Sequence, residues 1–491
     1  MKRLAVFLAA MAAISLSALP VLAAIPVPGA ANTNIVLFNP NAQEANLRLT
    51  FLNADQTGVA WVTDGGGPIA ANGTRTIPNT GFGGQAAGDW AGCADIAADK
   101  PLLALALQFW DDEATDIRWA AAYPAQQDGA TTAFFPHLTK KDNRQTRVTL
   151  QNCEETATTA YVHFCARNGV QSGVKTVTIP ALSETTLYLD QVPEADFSAT
   201  SNIGTGWITA TGRIAATASI FYADRADAYA AAAGGETTLY LPGKQRIKNA
   251  DATYDYSAAV IQNLGTSTAN VHAQFVKRDG TVTYEFDDTI AAKGAATYNT
   301  AYQGTLSSST YNALIAALGD NWQGTVKVNS TNSQNLAAVC FFKKPSMGVS
   351  DEGIFSAMPA SRATSSALIF PLVYRQIQDS NDYIFSTAFV HNTTTSAGTL
   401  TVEFYNADGT RRGSSYTVSI AARGLARLDL NTGTDLPAQA LTDLGTSFTG
   451  SMVVRPSSGR SIVGTAVLYW NEDEIISNNE RVAAYAGFAK P

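Results

Sequence analysis

Carboxylates crowd two short stretches of the chain: Asp111, Asp112, Glu113 and Asp116 in one, Glu472, Asp473 and Glu474 in the other. Several oxygens converging on one point suit a hard cation, so the first group is the candidate calcium site. Calcium is also the one cofactor the sequence suggests. A solvated acidic turn is the competing reading. Related stretches keep only Asp224 with Asp227 and Asp351 with Glu352, which weakens a repeated ion site. Nothing beyond proximity makes these carboxylates a general acid/base pair.

The other reactive side chains are as sparse. The four histidines, His137, His163, His272 and His391, include no H-x-x-x-H or HExxH spacing. No G-x-S-x-G elbow occurs. The run GFGGQA at 81–86 has dinucleotide-loop spacing, but it follows no strand and opens no helix. No C-x-x-C exists among Cys93, Cys153, Cys165 and Cys340. Cys153 and Cys165, on neighbouring segments, are the candidate disulfide, and Cys93 and Cys340 fall in different parts of the chain. No catalytic residue is assigned, and the chain reads as a non-enzyme. Seven tryptophans remain. Trp61 and Trp207 lack an aromatic counterpart at the equivalent positions of the chain's internal repeats, which makes them the candidates for stacking on a sugar face.

These residues sit in 491 positions, too many for one ordinary core. Only 15% of residues are charged, the formal net charge is -8, and there is no basic block, which argues against nucleic-acid binding. The first residues, MKRLAVFLAAMAAISLSALPVLAAIP, combine a basic start, an apolar run and small residues before Ala24. They read as a secretory signal peptide spanning 1–23. No later apolar stretch reaches membrane length, so the mature chain is expected to be secreted or held at the cell surface.

A repeat organises the chain beyond this leader. Asn39, Asn152, Asn263 and Asn392 each precede a phenylalanine by twelve residues: Phe51, Phe164, Phe275 and Phe404. A turn comes next: Asp55-Gln56, Asn168-Gly169, Asp279-Gly280 and Asp408-Gly409. Gly92, Gly206, Gly324 and Gly450 join the register, and an apolar strand then ends each copy at Trp110, Tyr222, Phe342 or Trp470. The chain thus contains four copies of one unit, with boundaries at 24–130, 131–236, 237–363 and 364–491. Each has the length of one β-sandwich.

Parity fixes the strands. Leu47, Leu49 and Phe51 alternate with polar residues, as do Ala160, Val162 and Phe164, which is the pattern of a strand with one buried face. Asn-Gly and Asp-Gly just beyond are hairpin dipeptides. Helix is confined to 307–319 and 437–445, short crossovers that end at glycine. Pro136, Pro242 and Pro371 open units two to four and suit edge strands. Short spacers predict a semi-rigid string of domains.

The pattern carried by Asn263, Gly265, Phe275, Asp279, Gly280, Gly450 and Ser451 resembles the CARDB-type and other Ig-like repeats of bacterial and archaeal exported surface proteins. The resemblance implies β-sandwich spacers or adhesion modules with no catalytic residues. The expectation is therefore an all-β protein of four tandem Ig-like β-sandwich domains with short helical crossovers, after a cleaved signal peptide. Its role would be structural or adhesive, with glycans, other surface proteins or sister subunits as partners. A carbohydrate-binding accessory protein is the alternative. A secreted hydrolase comes last, because it would gather polar residues in one unit.

Overall fold

The computed structural model describes residues 32–53, 59–78, 92–112, 117–141, 144–221, 226–345, 353–359, 365–378, 383–471 and 481–490. The signal-peptide region lies outside them. Among the described residues the fold is all-β, with two short α-helices, α1 (Ser308–Leu318) and α2 (Ala438–Leu444), where the sequence places them. Ser307 caps α1 by accepting the Thr310 N–H, and both helices stop at a glycine with positive φ, Gly319 and Gly445. No helix among the described residues is long and apolar enough to cross a membrane.

Each sheet draws on one stretch of chain. Residues 32–124 form a four-stranded and a three-stranded sheet, 130–230 a seven-stranded sheet, 238–359 an eight-stranded sheet and 368–489 a nine-stranded sheet. The third and fourth stretches run through the same strand order. In the third, strand Thr238–Lys248 pairs along its length with Asn321–Ser330, while its last residues also pair with Tyr254–Asn263, so the sheet folds over on itself. The fold-over is a register shift between Leu241 and Lys244, at Pro242. Pro371 and Pro136 occupy the same bulge in their strands. These prolines are thus not edge markers. A bulge, like an edge, is a place where a missing N–H costs no ladder bond.

The structure also corrects the glycine register. Phe164 faces Gly206, whereas Phe275 faces Val326 and Phe404 faces Met452. The true counterpart of Gly324 and Gly450 is Gly204. A Cβ at any of the three would strike the carbonyl of the residue after the phenylalanine (Cys165, Val276 or Tyr405) and an aromatic ring (Phe197, Trp322 or Phe448). The aromatic and the glycine recur together because the ring lies on the bare backbone.

The repeated asparagine ties down a turn. Asn263 Nδ2 donates to the carbonyls of Ser267, Ile290 and Ala291 at 2.7, 3.0 and 3.2 Å, and its Oδ1 accepts from Gly265 N. Asn39 and Asn152 make the same three donations, and Asn392 makes the first and third of them. All four asparagines are fully buried. The anchored turn passes through a left-handed residue in every unit: Asn72, Leu182, Lys293 and Arg423.

Onto this turn docks the Asx-Gly hairpin of the preceding unit. Ala295 N donates to Arg167 O, Leu425 N to Arg278 O and Thr74 N to Ala407 O. The seams therefore run from unit two to three, three to four and four back to one. Buried clusters cross them too. Val36, Leu105 and Leu107 of the first unit share a core with Phe370 and Leu468 of the fourth. Ala258, Val339 and Phe341 of the third share one with Phe135 and Ile220 of the second. Trp110 of the first unit meets Phe221 of the second edge to face, at 5.9 Å. The last strands of the units, Ile117–Pro124, Ala226–Ala230, Gly353–Pro359 and Arg481–Ala486, pack against one another in a closed circuit. The string expected from the spacers is instead a ring.

The seam gives a direct test. Gly280 has φ of +88°, and a Cβ there would sit on the Ala422 carbonyl. Gly280→Ala is expected to destabilise the protein by about 2 kcal/mol, read from urea unfolding. Gly66→Ala is the control: φ is +91°, but nothing lies within 4 Å of the new Cβ, so only backbone strain is added. Equal losses in the two variants would show that the seam contact contributes nothing.

Candidate functional site

The outward face of the second unit gathers side chains suited to a ligand. Strand Thr158–Ala166 runs between Gln171–Ile179 and the long strand Ile203–Phe221. Alternation buries Ala160, Val162 and Phe164 and turns Tyr161 and His163 outward. Register then builds two rows across three strands: Val174, His163 and Trp207 in one, Thr176, Tyr161 and Thr209 in the other. Tyr161 is 40% exposed and Val174 37%, both high for their type.

The rings are ordered. His163 stacks on Trp207, with centroids 4.6 Å apart and ring planes 2° from parallel. The His163 Nε2 stands 3.3 Å from Thr209 Oγ1. Lys293, from the third unit, places Nζ 5.4 Å from the Trp207 centroid while donating to Leu264 O. Burial lowers the His163 pKa and Lys293 lowers it further, so the imidazole is neutral at pH 7. A largely apolar patch flanked by the hydroxyls of Thr176 and Thr209 results, fit for a ligand that offers both C–H faces and hydroxyls.

The equivalent strands elsewhere carry other chemistry. In the third unit His272 Nδ1 stands 2.8 Å from Asp287, with Glu285 nearby. In the fourth, Glu403 binds Arg455 and Ser415, and Arg411 stands alongside. An open groove at the seam of units three and four is occupied by the ion pair of Arg278 with Asp435.

The residues singled out from sequence fare differently. Trp207 joins the candidate face, but His163 covers one side of its ring. Trp61 stacks on Phe51 at 5.3 Å and packs against the core of the first unit. Neither is the lone exposed ring that the sequence suggests, because each has a cross-strand partner that parity within one strand does not reveal. Asp111 and Asp112 end the strand Leu103–Asp112, and Glu113 and Asp116 lie outside the described residues. Among the described residues no three metal-ligating side chains converge.

The Cys153–Cys165 pairing is overturned, since both are free thiols. Cys153 N bonds Arg213 O, and Cys165 pairs with Thr205, eight positions away along the same long strand. At ~3.3 Å per residue the two lie on the order of 25 Å apart along the sheet, far beyond a disulfide's reach of about 7 Å. Sequence patterning singles out neither Tyr161 nor Val174. The one signal for Tyr161 is its outward parity; nothing in the sequence shows that Trp207 stands beside it.

Residues 94–331 match the model of a family of unknown function, DUF5719. This span begins inside the first unit and ends inside the third. Comparison with curated proteins gives no match. Two solved structures of infectious bursal disease virus show weak similarity. That of the Gx strain is 10% identical, with 72% of this chain and 77% of that one covered and a TM-score of 0.12. T=1 particles of a mutant VP2 protein are 10% identical, with 71% and 69% covered and a TM-score of 0.10. At such scores neither likeness carries an argument.

Proposed function

We propose that the protein is an exported, non-enzymatic structural or adhesion element, secreted or displayed at the cell surface, whose four Ig-like sandwiches close into one rigid platform. The platform holds the aromatic face of the second unit toward glycans, other surface proteins or sister subunits. The observation that carries the reading is the patch of Tyr161, His163, Trp207 and Val174, where the equivalent strands of the third and fourth units carry ion pairs instead. A rigid, preformed apolar face with hydroxyls at its margin binds without an ordering cost. Calcium remains a proposal tied to Asp111, Asp112, Glu113 and Asp116.

The same patch favours, as a second reading, a carbohydrate-binding accessory protein. A pull-down on insoluble polysaccharides and on whole cells tests both. Tyr161→Ala is expected to cut retention about tenfold with an unchanged unfolding midpoint, since one stacked aromatic contributes roughly 1.4 kcal/mol. Retention on isolated polysaccharide favours the accessory role, and retention on cells alone favours adhesion. Retention unaffected by Tyr161→Ala would remove this face from consideration.

A further inference from the structure

The core of the third unit departs from its template at two positions whose side chains interact. Opposite the repeated glycine the second unit has Leu138 and the fourth Val373; the third has Lys244. Across the sheet, Ala218 and Ala466 are matched by Cys340. Lys244 and Cys340 are each only 1% exposed.

A third position of the template differs in residue type. The residue paired with Ala218 is Tyr229, whose hydroxyl donates to His137 O, and the residue paired with Ala466 is Tyr485, whose hydroxyl donates to Leu372 O. In the third unit the register puts Met358 at this position. A buried tyrosine that satisfies a carbonyl is replaced, and a buried amine appears beside a thiol. Among the described residues, the Cys340 thiol is the one polar side chain that interacts with the buried Lys244 amine, and no other hydrogen-bond partner reaches its Nζ. An unpaired buried ammonium is costly, so burial lowers the Lys244 pKa and favours the free amine. A scaffold residue would be leucine, as in the second unit.

We infer that Lys244 and Cys340 are a cross-linking pair, closed by a peroxide-class oxidant into a sulfur–nitrogen bond inside the third unit. The thiol proton passes to the amine, and the thiolate attacks one peroxide oxygen. The O–O bond breaks, sulfur is oxidised to the sulfenic acid, and the departing hydroxide takes the proton back from the ammonium as water. The freed Nζ then attacks sulfur, the S–O bond breaks, and a second water leaves. One amine, one thiol and one hydrogen peroxide become one sulfenamide and two waters. Water-sized peroxide needs little opening to reach the site. The bond would join the strand that folds the sheet over to the strand beside the central circuit.

The test uses the full chain, reduced and then treated with dilute hydrogen peroxide. Digestion without reductant is expected to give one peptide joining Lys244 to Cys340, lighter by two hydrogens than its parts. Trypsin should no longer cut after Lys244, and dithiothreitol should restore cutting. Lys244→Leu and Cys340→Ala restore template residues, should fold, and should abolish the joined species. Separate peptides after peroxide, or Cys340 carried to sulfinic acid while trypsin still cuts at Lys244, would overturn the inference.

Discussion

Replacing Asn263 with alanine is expected to lower the unfolding free energy by about 4 kcal/mol. The side chain satisfies three backbone carbonyls and one N–H in a fully buried setting. Each group left unpaired costs about 1–3 kcal/mol, and alanine offers none of them a partner. The loss should reach the seam, because the turn held by Asn263 is the one that receives the second unit through Ala295 N and Arg167 O. Asn263→Asp discriminates the cause. It preserves shape but turns an oxygen toward carbonyls that need a donor, so it should be at least as damaging. Urea midpoints of the two variants decide the matter. A small loss for Asn263→Asp would show that shape, not the donated bonds, holds the turn.

Acidification should loosen the ring well above the pH at which carboxylates titrate. His137 lies edge-on to Phe341 across the seam of units two and three, and His391 faces Tyr240 across the seam of units three and four. Burial pushes both imidazoles down to about 3; nearby Arg144 and Arg167 add to this at His137, and Lys327 at His391. The unfolded chain takes up these protons near pH 6.5 and the folded chain does not. Stability is therefore unaffected above pH 6.5 and is lost as pH falls from there toward 3. At pH 5 each histidine should have cost about 2 kcal/mol. Above about pH 5, carboxylates with lowered pKa, such as Asp443, stay ionised in both states and do not contribute. The urea midpoint should drop between pH 7.5 and 5, and His137→Phe with His391→Phe should flatten the profile. A wild-type midpoint constant over that range would refute the seam placement of these rings.

Much of this fold is legible in the sequence because it is local. The alternation around Phe51, Phe164, Phe275 and Phe404 predicts strands with one buried face. Asn168-Gly169, Asp279-Gly280 and Asp408-Gly409 turn where hairpin dipeptides should, with each glycine at positive φ. The asparagine repeat is visible too, but its reason is not, since Ile290 and Ala291 lie far along the chain from Asn263. Spacing alone favours Gly206 over Gly204, because it cannot see which residue lies against Phe197. The ring itself is out of reach. Short linkers fit a string as well as a circle, and what chooses between them is the fit of Gly280 on Ala422 and of Gly409 on Ala71, a matter of shape between distant segments. The candidate face needs three strands brought side by side.

The seam between the fourth and first units has no linker, yet Thr74 N meets Ala407 O there just as the linked seams are joined. Phe488 lies beside Phe38, and the closing strand Phe488–Ala489 pairs with Leu368 and Ile369. Covalent continuity and circular order are therefore separate properties of this molecule. A gene that fuses residue 490 to residue 32 and opens instead at the spacer between 230 and 238 should yield a permuted chain with the same neighbours all the way round.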